Sequence, residues 1–193
     1  MGVRVTRIYM VRHGRAAAGW NVDPDPGLDE LGRSQALAVA GQPSRLGPLD
    51  VVSSPLLRCQ QTAFPLATAW KKDVAINPAV GEIPSPEGYT LENRVEWLRA
   101  AMATTWSDVA RDSGQKYADY RQEIARAVAS LTSDTVIFSH FIAINAVIGV
   151  ALGDDRVLIH HLDNCSVSVF ETDGSGGLTL LEVGGEDANT LIR

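Results

Sequence analysis

The chain has 193 residues, 45% of them hydrophobic, and a formal net charge of -6. That length suits one globular domain, residues 1–193, with a full core, and leaves little room for two. The acidic balance speaks against a nucleic-acid footprint, which shows as a basic excess. Two cysteines, Cys59 and Cys165, are too few for a disulfide scaffold and fit a reducing, cytoplasmic setting.

The first residues lack the apolar core of a signal peptide, and a strand is predicted over residues 6–11. Met1, Gly2 and Thr6 fit a myristoylation pattern that also arises by chance. Residues 20–28 are rich in Asp, Pro and Gly and read as a loop. Asp29 caps a helix expected to run to Ala40 and stop at Gly41. A short strand covers 50–52. Ser54 then reads as a helix cap with Pro55 at the first helical position. Pro65, inside that helix, predicts a kink or an early end, because its ring crowds the carbonyl of Gln61.

A third strand is expected at 74–76, followed by a loop over 77–88 with three prolines and two glycines. Leu91, Val95, Leu98 and Met102 recur at helical spacing, as do Tyr117, Tyr120, Ile124, Val128 and Leu131. They predict two amphipathic helices joined by a polar turn near Ser113-Gly114, and core packing accounts for both stripes. The apolar run Val136-Ile137-Phe138 predicts a buried strand. The apolar stretch 141–152 that follows predicts a helix ended by Gly153, too short to span a bilayer. Residues 167–171 and 178–183 flank a Gly-rich turn and read as a hairpin. Asn164-Cys165-Ser166 matches a glycosylation acceptor but reads more simply as a strand-entry turn.

Strands separated by helices imply an α/β fold. We expect a three-layer α/β/α sandwich, its central sheet mostly parallel with an antiparallel edge. Two apolar runs end in histidine: 8–11 leads to Arg12-His13-Gly14, and 136–138 leads through Ser139 to His140. Ligands of such sheets bind beyond the carboxyl ends of the strands, so the two histidines can share one site. Arg12 and Arg58 are positioned to join them.

A phosphate monoester needs such a set. Arginine forks match phosphate oxygens. A neutral imidazole can attack phosphorus while its other nitrogen donates to a carbonyl. Gly14 allows a tight turn and close approach of substrate. His140 supplies a further donor where transition-state charge gathers. A carboxyl group must protonate the leaving alkoxide, and Glu82 and Glu87 are the candidates.

Four blocks in order carry a resemblance: Arg12-His13-Gly14; Leu28-Asp29-Glu30-Leu31-Gly32-Arg33-Ser34-Gln35-Ala36; Ser53-Ser54-Pro55-Leu56-Leu57-Arg58-Cys59-Gln60-Gln61-Thr62-Ala63; and Val136-Ile137-Phe138-Ser139-His140. With them the chain resembles the histidine phosphatase superfamily, the phosphoglycerate-mutase-like group. The resemblance implies that fold and a phosphohistidine mechanism. It implies His13 as nucleophile, with Arg12, Arg58 and His140 completing the phosphate pocket. It implies Glu82 as proton donor, with Glu87 as the fallback.

The chain also departs from the family. Arg15 stands where an acidic residue is common, and either adds positive potential at the rim or is solvated. Phe141 replaces a common glycine and either narrows the site or seals the core. Trp20-Asn21 is similar to a mutase pair, at longer spacing, which makes Asn21 a candidate for the site. No basic cluster lies between Glu82 and Arg94, as a bisphosphate-using mutase would need.

His160-His161, read as adjacent strand residues facing opposite ways, cannot easily chelate one metal, and no zinc spacing is present. Cys59 is expected to be packed, and Gln35, Gln61 and Thr62 to brace the surroundings. The expectation is therefore a metal-independent phosphomonoesterase with no cofactor. Its substrate is a phosphorylated small molecule or a phosphoprotein, with no nucleic-acid or membrane partner. The alternatives are a phosphoglycerate-mutase-type phosphotransferase and a non-catalytic phosphate-binding module of the same fold. Oligomeric state is not legible.

Overall fold

The computed structural model describes residues 5–19, 22–42, 46–173 and 175–185. Asn21 and Trp20 lie outside them. Six strands form one sheet: β1 (Thr6–Arg12), β2 (Asp50–Ser53), β3 (Val74–Ile76), β4 (Thr135–Ser139), β5 (Val167–Thr172) and β6 (Leu178–Glu182). Their order is β3-β2-β4-β1-β5-β6. The β3-β2, β2-β4 and β4-β1 pairings are parallel, while β5 and β6 add an antiparallel edge.

The helices are α1 (Glu30–Ala40), α2 (Leu57–Trp70), α3 (Leu91–Met102), α4 (Trp106–Ser113), α5 (Lys116–Ala129) and α6 (Phe141–Leu152). Alternate strand residues feed two cores. Ile8, Met10, Ile137 and Phe170 pack with residues of α3, α4, α5 and α6 on one face. Val11, Val51, Val136 and Phe138 pack with Val39 and Ala40 of α1 and with Cys59, Ala63 and Leu66 of α2 on the other. Helices on both faces make the expected three-layer α/β/α sandwich. β4 is buried along its whole length and β1 over most of its own, which explains the unbroken apolar runs of the sequence.

Several expectations are corrected. Helix α2 begins at Leu57, not Pro55, and its N-cap residue Leu56 makes no side-chain cap. Ser54 accepts from Leu56 N–H at 3.3 Å, but its hydroxyl is also held by His140 Nε2 at 2.7 Å. The helix does not end early at Pro65 and runs on to Trp70. Burial of Cys59, Ala63, Leu66 and Ala67 along one face outweighs the local proline penalty. Three helices, not two, fill residues 91–129. The missed one, α4, opens with a capping box between Thr105 and Asp108, a signature present in the sequence. His160 and His161 lie outside any strand, in the segment joining α6 to β5. Gly41 closes α1 with right-handed φ, whereas Gly153 ends α6 at φ 68°, in the left-handed region that favours glycine.

Candidate active site

Parallel pairing brings the carboxyl ends of β1, β2 and β4 to one edge. Arg12 pairs with Ser139 in register, His13 N–H donates to Ser139 O at 3.0 Å, and Ser54 N–H donates to Phe138 O at 3.0 Å. His13, Ser54 and His140 therefore emerge side by side. The ring centroids of His13 and His140 are 5.3 Å apart, edge to face. Arg58, the second residue of α2, enters between them with its side chain 1% exposed.

The bonds around the two rings define their protons. His13 Nδ1 lies 2.8 Å from Gly14 O, which can only accept, so Nδ1 carries the hydrogen. Its Nε2 then accepts from Arg58 Nε at 3.2 Å. Arg58 Nη2 lies 3.2 Å from His140 Nδ1, which must accept, and His140 Nε2–H donates to Ser54 Oγ. Both imidazoles are held well below their ordinary pKa, first by burial and then by the positive charge of Arg58. Each stays neutral at neutral pH.

Glu82 follows β3 by a short 3-10 turn over Pro78–Val80. Its side chain is 3% exposed, with Oε2 at 3.8 Å from Arg58 Nη2 and 3.5 Å from His140 Nδ1. Burial pushes its carboxyl above the usual range, against the pull of Arg58. Glu87, by contrast, is exposed and lines a surface groove with Tyr89, Asp112 and Lys116. The structure thus brings His13, His140, Arg58, Arg12 and Glu82 together and leaves Glu87 outside.

Arg12 is the last residue of β1 and is buried. Its guanidinium sits 4.9 Å from the centre of the Phe141 ring, and Nη1 donates to Leu162 O. Phe141 is therefore a platform beneath Arg12. Burial lowers Arg12 to about 10, which still leaves it charged at neutral pH. Arg15 is drawn away to Asp29, the N-cap of α1, by an ion pair of 2.5 Å.

The polar residues of the motif blocks brace this edge. Gly14 N–H donates to Thr62 Oγ1, and that hydroxyl donates to Arg58 O. Arg15 N–H donates to Gln35 Oε1, and Leu28 N–H to Gln61 Oε1. Gly14 and Gly32 are required by contact: a Cβ on Gly14 would stand 2.6 Å from Gly32 O. Cys59 is buried, donates to Ser139 O at 3.4 Å, and burial pushes its thiol up.

Sequence reasoning missed several members of this setting. Ser54 holds His140, Asn164 Nδ2 donates to His13 O at 2.9 Å, and Leu162 offers its carbonyl to Arg12. Asp25 accepts from Leu57 N–H at 2.8 Å and stands 4.0 Å from Arg58 Nη1. Only the third of these is a backbone group with no sequence signal. Ser54 lies within the third motif block, where its sequence reads as a helix cap.

Of the buried side-chain polar atoms that make no hydrogen bond among the described residues, Arg12 Nε, Arg58 Nη1 and Glu82 Oε2 belong to this group of side chains. Buried donors left open at a strand edge mark where a ligand's acceptors belong. Both α2 and α6 begin at this edge, and helix N-termini favour anions.

The chain belongs to the histidine phosphatase superfamily (branch 1), whose family model matches residues 8–183. It is 28% identical to a bifunctional protein of Mycobacterium tuberculosis over 200 residues, covering 91% of this chain and 53% of that protein. The chain thus spans about half the length of this relative. It is also 28% identical, over 183 residues, to a probable phosphoglycerate mutase of Escherichia fergusonii, covering 84% of this chain and 83% of the relative. Among solved structures it resembles a mycobacterial glucosyl-3-phosphoglycerate phosphatase with inorganic phosphate, with TM-score 0.69 and 22% identity over 94% of this chain and 98% of the other. It likewise resembles a phosphoserine phosphatase of Entamoeba histolytica, with TM-score 0.68 and 22% identity over 96% of this chain and all of the other. These two likenesses are likenesses of fold. No helix among the described residues is long and apolar enough to cross a membrane.

Proposed function

We propose that the protein is a metal-independent phosphomonoesterase acting through a phosphohistidine on His13. The observation that carries this reading is the pair of buried guanidinium nitrogens, Arg12 Nε and Arg58 Nη1, left open beside a neutral imidazole. A phosphate dianion supplies the missing acceptors. As it binds, Arg58 Nε shifts from His13 Nε2 to a phosphate oxygen and frees the lone pair. Nε2 then attacks phosphorus, the bond to the ester oxygen breaks, and Glu82 gives its proton to the departing alkoxide. The Nδ1–H bond to Gly14 O steadies the cationic phosphohistidine. Water next attacks phosphorus, the Glu82 carboxylate takes its proton, the P–N bond breaks, and phosphate leaves.

Arg12 and Arg58 neutralise the substrate in this scheme, so no metal is required. A neutral His140 donates poorly through Nδ1, which accepts from Arg58, and its first task is to hold that guanidinium. The substrate is a phosphorylated small molecule or a phosphoprotein, and the unpaired Cys59 and Cys165 suit a reducing compartment. The absence of a basic cluster between Glu82 and Arg94 favours hydrolysis over a bisphosphate-dependent mutase cycle. The likeness to named probable mutases supports phosphoglycerate isomerisation as the second reading.

The test is a screen of phosphosugars, nucleotides, phosphoglycerates and phosphopeptides in excess chelator, with His13→Ala beside it. We expect phosphate release by the native protein only, an acid-labile phosphoprotein intermediate, and competitive inhibition by vanadate. Activity lost in chelator and restored by a divalent ion would replace this mechanism with metal-assisted hydrolysis. Conversion of 3- to 2-phosphoglycerate without phosphate release would select the mutase. No turnover by either protein, with phosphate still bound, would leave a binding module.

A further inference from the structure

Helix α6 is apolar almost throughout, with Asn145 as an exception, 0% exposed. An apolar residue of the same size would fill that space without the cost of desolvating an amide. The amide is, however, fully used. Asn145 Nδ2 donates to Phe141 O at 3.0 Å and to His160 O at 3.1 Å, while Oδ1 accepts from Ile159 N–H at 3.0 Å and His160 N–H at 2.8 Å. These bonds pin the irregular segment after α6 against the helix.

That segment leads two residues later to Leu162, whose carbonyl accepts from Arg12 Nη1. Phe141, at the other end of the amide's reach, carries the ring beneath the same guanidinium. Both supports of Arg12 therefore meet at one side chain. The segment continues as a cradle for the β1 terminus: Asn164 Nδ2 donates to His13 O, Cys165 N–H donates to Arg12 O, and Arg12 N–H donates to Ser166 O.

We propose that Asn145 is a positioning residue that fixes the Arg12 guanidinium for phosphate, by holding the Leu162 carbonyl and the Phe141 ring in one frame. The inference rests on the reading of Arg12 as a phosphate ligand. It does not touch the reacting atoms. Its signature is energetic coupling: loss of the amide weakens phosphate binding only while Arg12 is there to be misplaced.

The experiment is a double-mutant cycle on the full chain, read as inorganic phosphate binding by calorimetry, which needs no turnover. Asn145→Leu removes all four bonds. Asn145→Asp keeps the Oδ1 acceptor for Ile159 and His160, and serves if the leucine variant does not fold. Each is paired with Arg12→Ala, and folding is checked by thermal unfolding. We expect about tenfold weaker phosphate binding from the Asn145 change in the native background, and no further loss in the Arg12→Ala background. Equal fold-losses in both backgrounds would show a general structural role and overturn the inference alone. Unchanged phosphate binding by Arg12→Ala itself would overturn the reading of Arg12, and the inference with it.

Discussion

Arg58 Nε lies 3.2 Å from His13 Nε2, so the imidazole lone pair proposed to attack phosphorus is occupied by a guanidinium hydrogen until substrate arrives. The same side chain reaches His140 Nδ1 through Nη2. Burial first, and this cation second, keeps both imidazoles neutral, and its two hydrogen bonds, with those to Gly14 O and Ser54 Oγ, hold each in a single tautomer. In the proposed mechanism, phosphate binding and nucleophile release are one event, because the oxyanion is the competing acceptor for that hydrogen.

Replacing this fork should be severe. Arg58→Lys keeps the charge but cannot bridge His13, His140 and a phosphate oxygen together. We expect kcat/KM to fall ~100-fold or more, the usual cost of one well-placed transition-state donor. Steady-state kinetics on the best substrate of the screen measure it, and a near-native rate removes Arg58 from the mechanism.

Glu82 and Glu87 should separate by leaving group. Glu82→Gln should slow alkyl phosphates strongly and spare an aryl phosphate whose phenol leaves unaided. The phosphoenzyme should still form from the aryl ester. Glu87→Gln, at an exposed position, should behave as native with both esters. The reverse pattern exchanges the two residues.

Stability should depend on pH through the buried histidines. Their folded-state pKa values are lowered from 6.5, so below that pH the unfolded chain binds protons that the folded chain refuses. Stability is full above the unfolded value and is lost as pH falls beneath it, by at most about 1.4 kcal/mol per pH unit for each histidine. Glu82 acts with the opposite sign. Its folded pKa is raised above 4.5, so the folded state holds a proton that the unfolded state has released, and this contribution declines as pH rises. Glu82→Gln should therefore show a steeper gain in urea midpoint than the native protein from about pH 5 to about pH 7. A flat midpoint in that variant would mean the imidazoles are not buried in neutral form.

Gly14→Ala should damage both fold and site. Its Cβ would press on the carbonyl oxygen of Gly32, backbone that cannot swing aside. We expect a loss of about 1–3 kcal/mol on denaturant unfolding, the range for overpacking, together with weaker vanadate inhibition. Gly185→Ala, with nothing within 4 Å of the added atom, should change neither. A stable, fully active Gly14→Ala variant would show that the β1 turn can open away from α1.

The amino-acid order by itself determined the layers and the sheet edge that carries the site. Apolar runs too continuous for a half-exposed strand gave β1 and β4, and each ended in a histidine. Arg12, Arg58 and Glu82 could be named because local signals tie each to a strand end or a helix start. Other features were decided only by tertiary structure. Ser54 had the sequence of a helix cap, yet it bonds to His140, a partner 86 positions away. Helix α4 was legible in its capping box but was hidden between two longer stripes. The resemblance already put Glu82 before Glu87, but that Glu82 is buried beside Arg58 while Glu87 is exposed depends on how the loop after β3 folds. Asn145 offered only an odd polar residue in an apolar helix. Its four partners are backbone groups, which every residue possesses and no sequence pattern distinguishes.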